Sequence, residues 1–202
     1  MKQHFSRQLR LLQQQPPVGP LSEQKMVIAS DVLDEIKTRF GHELRPFQRE
    51  ALEDGVLAKR DVFLIADTNA GKYLVFTCSP LVLRSPSLLR PICICVSPLN
   101  SLMRDQVAKL DGTGLSGVDV HEVTDKLRRG AHDLLYVSPE MLFSDEFMEM
   151  LLTPVYKDRL SLLYIDEVDC VSWQTFREMW GRLGEVRSFC LGIRLVVAGH
   201  DG

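Results

Sequence analysis

From Met26 onward the chain alternates between two kinds of hydrophobic pattern. Five short runs, DVFLI (61–65), ICICV (92–96), DLLYV (133–137), LSLLYI (160–165) and RLVVA (194–198), carry Val, Ile and Leu without polar alternation. Strands buried on both faces of a parallel sheet have this composition. Periodic stretches near 72–84, 100–110, 140–152 and 176–190 predict helices between them. The βαβα order predicts an α/β fold, a parallel sheet covered by helices on both faces. In such a sheet the loops after the strands share the carboxyl edge, where ligands bind.

Those loops carry the chemistry. The first strand ends in ADTNAGK, the second in SPLNS, the third in SPEML, the fourth in DEVD and the fifth in AGHDG. Two of them repeat Val-Ser-Pro ahead of a helix, so Ser97 and Ser138 are expected to cap helix N-termini, with Pro98 and Pro139 in the first turns. Ser-Pro is ordinary turn chemistry when it occurs alone. Its repetition at one edge points to a track for a phosphate backbone, because helix N-termini offer free N–H groups to anions.

The stretch LIADTNAGKYLVF (64–76) follows the phosphate-loop plan of strand, turn, Gly-Lys and helix. In the pattern G-x-x-x-x-G-K-[ST], Ala66 is an acceptable first residue, and Gly71 and Lys72 are in place. Position 73, where a short hydroxyl ligates Mg²⁺, is tyrosine. A phenol oxygen lies several bonds farther from the backbone, so metal binding is expected to weaken and hydrolysis to suffer more than nucleotide binding. Asp166 and Glu167 follow the fourth strand. An Asp there holds Mg²⁺, usually through water, and a neighbouring Glu can orient and deprotonate the attacking water. Charged residues at a strand end are often merely solvated. Together with the loop they make a nucleotide site.

Composition adds limits. At 202 residues, 45% apolar and 25% charged, the chain suits one compact domain. The formal charge of -3 gives no global field to draw it onto nucleic acid, so such contacts must be local. No apolar run approaches the roughly 18 residues of a membrane span. The five cysteines show no C-x-x-C spacing, which fits a reducing compartment. Residues 1–25 form a polar, Gln- and Pro-rich tail, expected to be flexible, with weak organelle-targeting character over residues 1–15. Residues 26–202 then make up the folded unit.

The ordered motifs resemble the first RecA-like lobe of superfamily 2 helicases, and among these the RecQ DNA helicases. FGHELRPFQ (40–48) resembles the adenine-recognition segment, one residue tighter than usual. VSPLNSLMRDQVAKL, YVSPEMLFSDEF and LYIDEVDCVS are similar to the family's successive motifs, the last being Walker B. VSWQTFREMWGRLGEVR looks like the aromatic-rich loop that links DNA contact to ATP hydrolysis, shortened by about two residues. A phosphate-loop kinase or GTPase does not account for SPLNSLMRDQ or the Gln48 segment.

The resemblance implies ATP with Mg²⁺ as cofactors and DNA, single-stranded or at a duplex junction, as partner. In the intact family ATP hydrolysis drives 3′-to-5′ unwinding. Gln48 would read the adenine edge with Arg45 in support, and Thr68, Asn69, Ala70, Gly71, Lys72 and Tyr73 would surround the phosphates. Lys72, Asp166 and Glu167 would be catalytic, with Asp166 toward the metal. Ser97, Asn100, Arg104, Ser138, Trp173, Phe176 and Arg177 would face DNA, although aromatics at helical spacing are more often core. Asn69 tolerates a left-handed backbone and should preserve the turn. Asp169 stands where the RecQ pattern has histidine, and Ala198-Gly199-His200 where it has Thr-Ala-Thr. A working core also needs a second lobe, for which 202 residues leave no room. The chain is therefore expected not to translocate alone, and a second lobe in trans or another protein partner is expected. The alternative is a catalytically degenerate lobe that binds DNA or protein. A nuclear or other intracellular location is expected.

Overall fold

The computed structural model describes residues 26–67, 69–166, 182, 186 and 193–199. After α1 (Ser30–Phe40), α2 (Pro46–Glu50) and a π-helical turn (Ala51–Leu57), the chain enters β1 (Val62–Ile65) and α3 (Tyr73–Leu83). Next come β2 (Ile92–Val96), α4 (Asn100–Ala108), β3 (Gly117–Val120) and α5 (Asp125–Arg128). β4 (Leu134–Val137) leads to α6 (Pro139–Leu142), α7 (Asp145–Leu151), α8 (Pro154–Arg159), β5 (Leu160–Ile165) and β6 (Arg194–Gly199).

The strands form one six-stranded sheet in the order β1-β6-β5-β2-β4-β3, and every pairing is parallel. The five expected strands are present, and β3 is an addition. Its sequence, GVDV, is short and half-buried at the sheet edge, so it lacks the apolar run that marks the others. The single helix expected over 140–152 is two, because Ser144 opens α7 by accepting a hydrogen bond from Phe147 N–H.

Alternate residues of each strand feed two cores. Ile92, Ile94, Val96, Leu135, Val137, Leu163 and Ile165 face Phe147 and Met150 of α7 and Tyr156 of α8. Cys93, Cys95, Tyr136, Leu162, Tyr164 and Val196 face α1, the π-helical turn and α3. α3 is buried from Leu74 through Leu83, as a helix apolar on all sides must be. Phe76 on α3 meets Tyr136 edge-on at 5.2 Å and Tyr164 at 5.5 Å, pinning the helix over the middle of the sheet. Burial pushes the thiols of Cys78, Cys93 and Cys95 well up, so they behave as apolar side chains. Among the described residues no helix is long and apolar enough to cross a membrane.

Candidate functional site

Ladder bonds continue past the strand ends and align the loops. Ala66 N–H donates to Gly199 O, Asp166 N–H to Val96 O, and Ser97 N–H to Val137 O. The loops after β1, β2, β4 and β5 therefore meet at one carboxyl edge, with the strand of the phosphate loop one strand away from that of Asp166.

The turn keeps the backbone of a phosphate cradle. Asn69 takes φ 66° and Gly71 φ 87°, both left-handed, and the eleven-residue α3 begins at Tyr73. Asn pays less than most residues for that conformation, so the loop closes without the usual glycine. Lys72 is buried, and its Nζ donates to Ala66 O (2.8 Å) and Asp67 O (3.2 Å). An ammonium has three protons, which leaves one for a ligand in this arrangement. Tyr164 O–H donates to Lys72 O at 3.2 Å and ties β5 to the same turn.

The segment FGHELRPFQ (40–48) is fastened to this loop. Gln48 Oε1 accepts from Arg45 N–H at 2.7 Å, while its Nε2 donates to Gly71 O at 2.9 Å. Arg45 Nη1 donates to Ala70 O at 3.0 Å. Gln48 is only 2% exposed, yet its carboxamide keeps one N–H and one lone pair beyond these bonds. Gln48 and Arg45 thus hold the loop in shape as well as standing beside it.

Tyr73 does not stand in for the missing hydroxyl. Its ring is half-buried on the core beneath α3, with Lys109 Nζ 5.3 Å from the ring centroid. The next hydroxyl along the helix, Thr77, donates to Tyr73 O at 3.2 Å. Asp166 is 3% exposed, and Gln106 Nε2 donates to its Oδ2 at 3.2 Å. Sequence reasoning missed Gln106. It lies inside a quoted motif, but only the pairing of α4 with the end of β5 reveals its contact with the carboxylate. The loop thus suits the phosphates of a nucleotide, whereas for Mg²⁺ the described residues offer Asp166 without the usual hydroxyl beside it.

The second part of the edge lies above β2, β3 and β4. A groove of about 330 Å³ is lined by Asn100, Met103, Val120, His121, Ser138 and Met141, among others. Ser138 caps α6 as its Ser-Pro pattern predicts, accepting from Met141 N–H at 3.2 Å. Ser97 does not. α4 begins at Asn100 with Leu99 as its N-cap, and Ser97 is buried with its Oγ 3.4 Å from Leu99 N. Two residues of turn separate it from the helix it was expected to cap. Asn100 is exposed, and so is Arg104, whose Nε lies 3.8 Å from Asp119 Oδ2. Thr68, Glu167, Asp169, Trp173, Phe176, Arg177, Trp180 and His200 lie outside the described residues, as does most of the helix expected over 176–190.

Comparison with known proteins places this arrangement. The family model for the DEAD/DEAH box helicases matches residues 45–193. The ATP-dependent helicase wrn-1 of Caenorhabditis elegans is 33% identical over 168 residues, covering 78% of this chain and 15% of that protein. ATP-dependent DNA helicase RecQ of Pasteurella multocida is 30% identical over 77% of this chain and 25% of its own length. ATP-dependent DNA helicase Q5 of Mus musculus is 37% identical over 71% of this chain and 15% of its own length. The chain thus spans a quarter or less of these three relatives. Among solved structures, the DUF1998 helicase MrfA bound to DNA superposes with a TM-score of 0.67 at 16% identity, covering 90% of this chain and 27% of that one. That likeness fixes the fold as RecA-like.

Proposed function

This chain belongs to the DEAD/DEAH box helicases as a RecQ-like lobe of superfamily 2, and from that premise we propose that it binds ATP within an ATP-dependent DNA helicase. Lys72 would hold the β- and γ-phosphates, Asp166 the magnesium, Glu167 the water, and Gln48 with Arg45 the base. Bound Mg²⁺ would neutralise charge on the phosphates. The DNA strand would run along the loops of Asn100, Arg104 and Ser138. A nuclear location belongs to the same reading.

Hydrolysis in this chain is proposed to be impaired while nucleotide binding persists. The orientation of Tyr73 carries this reading: its ring is turned onto the core beside Lys109 and leaves no hydroxyl for the metal. The same observation supports a second reading, a lobe that binds DNA or protein without turnover. Nucleotide titrations with and without Mg²⁺, run alongside single-stranded-DNA-stimulated ATPase assays, test both. ATP binding that gains little from Mg²⁺, with turnover near background, is expected. Magnesium-dependent turnover abolished by Lys72→Ala would overturn the impairment and the second reading together.

A further inference from the structure

Asp119 sits at the carboxyl end of β3, on the strand the hydrophobic pattern does not reveal. Its side chain is 10% exposed, and neither carboxylate oxygen receives a well-aligned hydrogen bond among the described residues. A carboxylate enclosed in this way is costly unless opposite charge or a donor stands nearby. Two side chains meet that need: His121 Nε2 lies 2.9 Å from Oδ2 and Arg104 Nε lies 3.8 Å from it. Both are themselves open to solvent, at 59% and 70% exposure.

A largely enclosed acid holding two exposed basic side chains is poor economy for stability, because exposed ion pairs contribute little. It is a sound way to aim them. His121 also lines the groove that Asn100 and Ser138 share, at the edge where a phosphate backbone would pass. Glu140 lines the same groove and repels anions, so a strand there needs hydrogen-bond donors or cations to hold it. Asp119 lies below the surface and His121 with Arg104 at it, an order that presents donors outward.

We propose that His121 contacts a backbone phosphate of single-stranded DNA, that Arg104 acts beside it, and that Asp119 is the positioning residue that aims both. The inference rests on the DNA-track reading above and adds to it a residue from the loop after β3, between the two Ser-Pro loops in sequence. No motif of the chain contains His121, and it enters the groove only because β3 pairs with β4.

The test is anisotropy of a labelled oligo-dT against the full chain at several salt concentrations. His121→Ala is expected to weaken binding about fivefold at low salt, the size of one ordinary hydrogen bond. Arg104→Ala, which removes a permanent cation, should lower the slope of log affinity against log salt by about 0.7, the value of one single-strand phosphate contact. Asp119→Ala separates positioning from simple charge. Removing an acid from a DNA-facing surface should raise affinity if charge alone matters, whereas loss of aim lowers it. Thermal melting of each variant checks folding, and His121→Asn, which keeps a donor, is expected to recover part of the loss. Unchanged affinity in His121→Ala, with the parent binding DNA, would overturn this inference alone, and an unchanged slope in Arg104→Ala would overturn the part given to Arg104. A rise in affinity for a folded Asp119→Ala would overturn the positioning role. A parent that does not bind oligo-dT even at low salt would sink the DNA-track reading, and this inference with it.

Discussion

Tyr73→Thr puts stability and metal binding in opposition, and the structure sets the size of both effects. The ring covers part of the core under α3 and lies within cation–π reach of Lys109, whose Nζ is 5.3 Å from its centroid. At a half-exposed position that contact is worth about 0.5–1 kcal/mol, and the lost apolar cover adds about 1 kcal/mol. The variant should therefore be less stable by about 1.5–2 kcal/mol, a fall in Tm of roughly 3–8 °C for a chain of this size. Against that loss, threonine supplies a hydroxyl on a short stem at the first residue of α3, where the phosphate-loop pattern places its metal ligand. Nucleotide affinity in Mg²⁺ should rise about tenfold over the parent, or about 1.4 kcal/mol, with little change in EDTA. Isothermal titration with a non-hydrolysable ATP analogue, in both buffers, reads the difference. Tyr73→Phe is the control: it keeps the ring and should match the parent in both respects. A Tyr73→Thr chain that loses the stability but gains no magnesium dependence refutes the reasoning, because the tyrosine would then not be what excludes the metal.

Further outcomes follow from neighbouring contacts. Gln106→Leu removes the donor to the buried Asp166 carboxylate, which should cost about 1–3 kcal/mol in thermal melts, with millimolar Mg²⁺ restoring part of it. Gly71→Ala forces a Cβ into a φ of 87° and to 2.9 Å from Gln48 Nε2. The strain and the displaced hydrogen bond should lower nucleotide affinity about tenfold, and Gln48→Ala should add little on top because the two share one bond. Acid should loosen α1. The hydrogen-bonded Arg84 guanidinium, offsetting the cost of burial and aided by Arg39, holds the Glu35 carboxyl below its usual range. A carboxyl with a depressed folded-state pKa contributes stability above its unfolded value and loses it as pH falls through the folded one. Glu35→Gln should therefore flatten the drop in Tm below about pH 4.5, the ordinary carboxylate range, while leaving the acid limb of the curve otherwise unchanged.

What the sequence made legible was local. Each of the five apolar runs had to be buried on both faces, and helix-length segments between them left a parallel sheet as the natural arrangement. The turn between β1 and α3 was equally legible because its parts are contiguous, and Asn69 holds the left-handed conformation that its residue type allows. Ser138 kept its cap and Ser97 did not, although both precede proline; the difference is where the following helix begins, and Val-Ser-Pro alone does not set that. β3 escaped notice because an edge strand needs only one good neighbour and so can consist of Gly, Val and Asp.

The residues that pattern reasoning passed over are those whose role depends on pairing between distant strands. Gln106 reads as one more polar position on α4 until β5, lying next to β2, brings Asp166 to its amide. Asp119 reads as an interruption of a weak strand until β3, lying next to β4, places it under His121 and Arg104. Both contacts join the outer helix-bearing loops to the carboxyl edge of the sheet, and both involve α4. Its exposed Asn100 lines the groove and its exposed Arg104 lies beside Asp119, while Gln106 and the adjoining Lys109 reach the Asp166 carboxylate and the Tyr73 ring. One nine-residue helix thus touches both halves of the site. A helix of that length moves as a rigid unit, so a strand pulling on Arg104 would be felt at Asp166 through Gln106. If so, DNA should alter magnesium-dependent nucleotide affinity in the Tyr73→Thr chain, and Gln106→Leu in that background should remove the effect while DNA binding persists. Coupling that survives Gln106→Leu would mean that the signal runs by another route.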